Sequence, residues 1–232
     1  MSEATPEEAG QRRRSRSKRE RKLLRRFGED KGLLRALACD YDAETCRAIG
    51  EEVRRELEAL APEVPHFGPR MGFFNIMIEG ASQILAVYRV LERRGRSCEE
   101  IGDIVYRHAE IGCGRVPGPL RSLAGRLWFG RFVTRYHRRQ AAESEKREYP
   151  DNWVMSFVEG DGDFDWGVDY FECAVVKFFR AHGAEDLAPY VCRLDFAASE
   201  AFHWGLRRST TIAEGHPSCD FRFRRGRALP RS

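Results

Sequence analysis

The hydrophobic pattern of this chain changes period at Pro150, and that change limits the folds open to it. Before Pro150, apolar residues recur at steps of three and four. Cys46, Ile49, Val53, Leu57 and Leu60 do so behind Asp42, a capping residue, and predict an amphipathic helix. Residues 71–94 form a second, very apolar stretch, with Ile84, Leu85, Tyr88 and Leu91 on one side and Gly95 to end it. Ser97 and Glu100 make a capping box for a third helix, with Ile101, Ile104, Val105 and His108 on its inner face. Past the loop GCGRVPGP a fourth helix is expected over about 119–142, burying Leu120, Leu123, Leu127 and Phe132.

Beyond Pro150 the period drops to two. Phe164, Trp166, Val168 and Tyr170 alternate with Asp165, Gly167 and Asp169, which predicts a strand; NWVMSFV reads as its hairpin partner across EGDGD. ECAVVKFFRAHG returns to a helix that stops at Gly183, and Pro189 opens another running to about Trp204. LRRSTTIA and CDFRFR flank the turn EGHPS and predict a second hairpin. The expected fold is α+β: a helical N-terminal half, then a C-terminal half of antiparallel β-hairpins and helices. The expected division is a basic tail over 1–26, a helical subdomain over 27–150 and an α+β subdomain over 151–232 that carries the site motifs.

Charge supports the first of these boundaries. The chain has a net charge of +4, but residues 1–26 alone carry ten Lys/Arg against four Glu, so the remainder is slightly acidic. Residues 1–22, with QRRRSRSKRERK, lack apolar periodicity and are expected to be disordered and dispensable for folding. Contact with nucleic acid is then a property of the tail alone, and no aromatic residue is interleaved there to stack on bases.

No apolar run is long enough to span a membrane, and the N-terminus has no apolar signal region, so a cytoplasmic protein is expected. The seven cysteines are odd in number and contain no Cys-x-x-Cys pair, which fits reduced thiols and predicts no structural zinc. Asp161, Asp163, Asp165 and Glu172 fall at calcium-loop spacing, but Trp166 occupies the position that must be glycine; an acidic hairpin turn is expected instead. The six histidines show no ligand spacing, so neither metal nor cofactor is expected.

Reactive side chains concentrate in four short pieces of the C-terminal half. Glu172 and Cys173 sit at a predicted helix start, where the helix dipole favours thiolate. Cys192 and Asp195 are three apart on a helix and share a face. Arg208 and Thr211 lie on opposite faces of a regular strand and meet only if the chain bends. In CDFRF, Cys219, Phe221 and Phe223 share one face while Asp220 and Arg222 share the other. The Phe face is expected in the core. The charged face is expected to line a pocket, Arg222 gripping a carboxylate and Asp220 orienting it.

The residues alone imply an α+β domain with a thiol- and carboxylate-lined pocket. The combination Glu172-Cys173, Pro189-Tyr-Val-Cys192-Arg-Leu-Asp195, Arg208-Ser-Thr-Thr211-Ile-Ala-Glu-Gly215 and Cys219-Asp220-Phe221-Arg222-Phe223, in that order, resembles the L-2-amino-thiazoline-4-carboxylic acid hydrolase family. The similarity covers roughly residues 150–225 well, and the N-terminal helices fit it in general character. The resemblance implies a hydrolase that opens a small cyclic, carboxylate-bearing compound. Glu172, Cys173, Cys192, Asp195, Cys219 and Asp220 are then the candidate catalytic residues, and Arg208, Thr211 and Arg222 the candidate substrate ligands. Two routes stay open: a carboxylate that deprotonates water, or a cysteine that attacks the ring carbon. A non-catalytic small-molecule-binding or sensor module of the same fold is the alternative function.

Overall fold

A computed structural model of the chain describes residues 17–226. Seven α-helices come first: α1 (Lys18–Glu29), α2 (Gly32–Leu37), α3 (Ala43–Leu60), α4 (Gly72–Arg93), α5 (Cys98–Gly114), α6 (Gly118–Trp128) and α7 (Arg131–Ser144). Then follow β1 (Val154–Glu159), β2 (Trp166–Glu172), α8 (Ala174–Ala181), α9 (Ala188–Cys192), α10 (Leu194–Phe202), β3 (Leu206–Arg207) and β4 (Cys219–Phe223). The strands form one antiparallel sheet in the order β1-β2-β4-β3, so the fold is α+β as expected. No described helix is long and apolar enough to cross a membrane.

The local signals explain the helix ends. Asp42 caps α3 by accepting from the Thr45 amide at 2.8 Å, and its five spaced apolar residues are all buried. Ser97 and Glu100 form the reciprocal capping box at the start of α5. Gly95 and Gly183 follow α4 and α8 with φ of 81° and 68°, a left-handed conformation open to glycine at little cost.

Two expectations change. The segment read as tail contains α1, which Ser17 caps and whose Leu23 is buried. Arg19 donates to the Pro65 carbonyl and Arg26 to Glu79 at 2.9 Å, so basic side chains that looked solvated are helix-anchoring groups. The expectation for residues 1–16 lies outside the described residues. The fourth helix is two, α6 and α7, separated at Phe129 and Gly130, where Gly130 is extended.

The period on α6 was right and its phase was not: Leu120, Leu123 and Leu127 are exposed, as is Phe132 at the start of α7. Trp128 and Gly125 face inward instead, because Trp128 stacks on Trp204 and Gly125 lets α6 approach the Phe202 carbonyl at the end of α10. On α7 the inner face is polar. His137, Gln140 and Ser144 are buried, with Ser144 Oγ accepting from the Met155 amide at 3.1 Å and Gln140 donating to the Arg70 carbonyl at 2.7 Å.

Register fixes the two faces of the sheet. Trp166, Val168 and Tyr170 of β2 lie opposite Phe223, Phe221 and Cys219 of β4. These six residues make the inner face. Gly167, Asp169, Asp220 and Arg222 point the other way. The inner face packs on the helices, and one continuous core runs from α1 to β4 through Phe67, Phe74 and Trp153.

Candidate active site

The pairing of β2 with β4 turns Cys219, Phe221 and Phe223 toward α8, α9 and α10. A cavity of about 130 Å³ lies there. Cys173, Cys192, Asp195, Arg208 and Cys219 all line it, although they come from four separated pieces of the chain. Cys173 is the residue before α8, Cys192 ends α9 and Asp195 lies in the first turn of α10. Arg193 interrupts the single helix expected here, yet Cys192 and Asp195 still share the cavity.

Arg208 lies just past β3, so the strand rule that set it against Thr211 does not apply. Its side chain is only 5% exposed. It donates to Asp195 Oδ2 at 2.8 Å and to the Cys192 carbonyl at 3.0 Å, and its guanidinium lies about 5 Å from the ring centres of Phe196 and Phe221.

Asp195 keeps a third of its side-chain surface free, and that surface faces the cavity. Desolvation by the apolar walls raises its proton affinity; the Arg208 charge and hydrogen bond oppose this without cancelling it, and the pKa settles at about 6. The three thiols are pushed up as well, in each case chiefly by burial: Cys173 to about 11, with Cys192 and Cys219 also raised. At Cys173 the amides opening α8 pull the other way, so the expected helix-start effect exists but loses to desolvation.

The other candidates lie elsewhere. Glu172 ends β2 and is bound by Lys177 and Arg147, the Lys177 bond being the main reason its pKa is lowered. Asp220 accepts from the amides and hydroxyls of Ser209 and Thr210; burial alone would raise its pKa, but these bonds outweigh it and lower the value. Arg222 donates to Asp169 at 2.6 Å. Thr211 exchanges bonds with Glu214 at the head of a short turn.

Asp220, Arg222 and Thr211 share a separate, larger cleft of about 690 Å³, also lined by Arg193, Arg207 and Glu214. Cys192, Leu206 and Arg208 line both spaces, so they form the partition between outer cleft and inner cavity. Among the described residues no group of three or more His, Cys, Asp or Glu is placed to hold a metal ion.

Much of the inner wall is aromatic, and most of these rings were not read from the motifs. The chain has four tryptophans, and all of them, Trp128, Trp153, Trp166 and Trp204, line this cavity. Trp128 and Trp204 stack with centroids 4.1 Å apart, and Trp166 packs on Phe223 at 4.5 Å and on His137 at 4.8 Å. Phe73, Met77 and His137 reach in from the helical half. The usable sequence signal was tryptophan itself, a large ring whose N–H needs a partner when buried.

No curated protein and no solved structure matches the chain. The family model for L-2-amino-thiazoline-4-carboxylic acid hydrolase matches residues 75–223, a span that begins in α4 and ends with the last residue of β4. It takes in every residue of the partition and every wall of the inner cavity except Phe73. With well over half of its length matched, the chain belongs to the L-2-amino-thiazoline-4-carboxylic acid hydrolase family.

Proposed function

We propose that the protein is a hydrolase that opens a small cyclic carboxylate-bearing C–N/C–S compound, of the 2-amino-thiazoline-4-carboxylate kind, with Asp195 as the base. The observation that carries this reading is Asp195 itself: a carboxyl in an apolar cavity, held by Arg208 at 2.8 Å, with a pKa of about 6. Such a group is ionised at neutral pH and still basic enough to take a proton from water.

The chemistry runs as follows. Water adds to the amidine-like carbon between sulfur and nitrogen while Asp195 takes its proton. The protonated Asp195 delivers that proton to the ring nitrogen. Collapse of the tetrahedral adduct breaks the C–S bond, and the hydroxyl proton passes to the departing sulfur, leaving an N-carbamoyl thiol. Arg208 receives the substrate carboxylate at the partition, where its fork retains N–H groups beyond those used on Asp195 and Cys192. Arg222 acts earlier, in the outer cleft through which an anion approaches.

The raised thiol pKa values favour this route over attack by cysteine, since a protonated thiol is a poor nucleophile. Cys173, Cys192 and Cys219 then serve as neutral walls. The test is turnover of 2-amino-thiazoline-4-carboxylate by Asp195→Asn, which keeps an oxygen to accept from Arg208. Activity is expected to fall roughly 10²–10⁴-fold with the melting temperature little changed. Loss of the same size in Cys192→Ala or Cys173→Ala, with Asp195→Asn active, would transfer the chemistry to a thiol.

A further inference from the structure

Leu120, Leu123, Leu127 and Phe132 are exposed at 54%, 51%, 59% and 91%, and they are four of the eight large apolar side chains so exposed among the described residues. The three leucines recur at steps of three and four, so they form one stripe along α6; Phe132 follows it across the turn at Phe129 and Gly130. Their outward direction is fixed, because Gly125 and Trp128 hold the other side of α6 against Phe202 and Trp204. The core does not use this stripe, and a contiguous apolar surface left exposed marks a contact face.

The charge around the stripe identifies what it meets. Residues 111–142 contain seven arginines and no Asp or Glu. Outside this span and residues 1–26 the chain has 23 Lys/Arg against 32 Asp/Glu, so positive charge is gathered here on an otherwise acidic body. Arg115 pairs with Asp30 and Arg138 with Glu159, but no described carboxylate pairs with Arg126, Arg131, Arg135 or Arg139, all of them exposed. We infer that α6 and the start of α7 dock on an anionic lipid surface, the leucines and Phe132 entering the headgroup layer while the arginines meet its acidic groups. At 11 residues α6 is about 16 Å long, so it lies in the plane of that surface and does not cross it.

Other occupants fit less well. A second copy meeting this face about a two-fold axis would set the arginines against their own counterparts. A nucleic acid would pair with the arginines and offer nothing to three leucines. An acidic protein would need an apolar groove with an acidic rim, shaped to a side chain as prominent as Phe132; a bilayer supplies both layers without a matching shape.

The test is sedimentation of the full chain with phosphatidylcholine vesicles, plain or containing about 30% phosphatidylserine. Binding to the anionic vesicles is expected, weakened by salt, with little binding to the plain ones. Arg126→Gln with Arg131→Gln should weaken it by about 10–30-fold, and Leu123→Ser with Phe132→Ser by about 10-fold or more. All four side chains are exposed and line neither the inner cavity nor the outer cleft, so melting temperature and turnover without vesicles should match the parent chain. Residues 1–26 are basic too, and the apolar pair separates the two sources: binding that survives Leu123→Ser with Phe132→Ser belongs to charge alone and overturns the inference. Absence of binding to anionic vesicles overturns it in favour of an acidic protein partner. Self-association of the parent chain that the apolar pair abolishes overturns it in favour of a second copy.

Discussion

Asp195 has neighbours of both kinds that set a carboxyl's proton affinity, apolar walls that raise it and a guanidinium that lowers it; the walls win. If this carboxylate is the base, kcat/KM falls about tenfold per pH unit below about 6, because only the ionised form accepts a proton, and is level above it. A pH profile of the parent chain checks this, and the residual activity of Asp195→Asn should lack the acid limb. The phenylalanines of β4 divide between two jobs. Phe223 is buried against Trp166 and Trp128, whereas Phe221 is partly exposed to the cavity beside Tyr170 and Arg208. Phe223→Ala is therefore expected to cost about 3–5 kcal/mol of stability as a core truncation, and Phe221→Ala clearly less; urea unfolding of the two variants measures the difference. The alternation of CDFRF predicted which side chains share a face. It did not reveal that Cys173 and Asp195 lie on the side of the Phe face, with Cys192 on the partition that also borders the cleft of Asp220 and Arg222. Both faces of this strand border a hollow, and which hollow holds Cys173 and Asp195 depends on how the helices that carry them pack.

Among the elements, those with a capping residue and an unbroken apolar stripe were legible from the sequence; α3 and α5 are of this kind. The pair α6 and α7 was not, since two faces of α6 carry large apolar side chains and only tertiary contact chooses between them. Gly125 marks the chosen face. A methyl there would overlap the Phe202 carbonyl oxygen, so Gly125→Ala should push α6 from α10, cost about 1–3 kcal/mol and loosen the Trp128–Trp204 stack. Thermal melts with near-ultraviolet circular dichroism test both effects. The start of the chain offers a second check. Helix α1 was hidden by its charge, for a segment so rich in arginine reads as solvated until partners such as Glu79 and the Pro65 carbonyl are known. A chain beginning at Leu23 loses the Ser17 cap and the Arg19 contact and should be about 0.5–2 kcal/mol less stable than one beginning at Ser17.

At the scale of the whole molecule, Pro150 divides the sequence but not the core. The change of period there gave the α+β class, because periodicity is a local property. It also suggested two subdomains, yet the core is continuous from Leu23 to Phe223. The cavity depends on that continuity: Phe73, Met77, Trp128 and His137 come from before Pro150, and the thiols, Asp195 and Arg208 from after it. This shared wall bears on how such a protein can evolve. Recombination at Pro150, where the pattern offers a clean seam, would join the reactive groups of one ancestor to the smaller part of another's aromatic lining. Such a hybrid can fold and still refuse both parents' substrates. A change in what this cavity accepts is therefore expected to need paired substitutions, on α4, α6 or α7 and on the sheet.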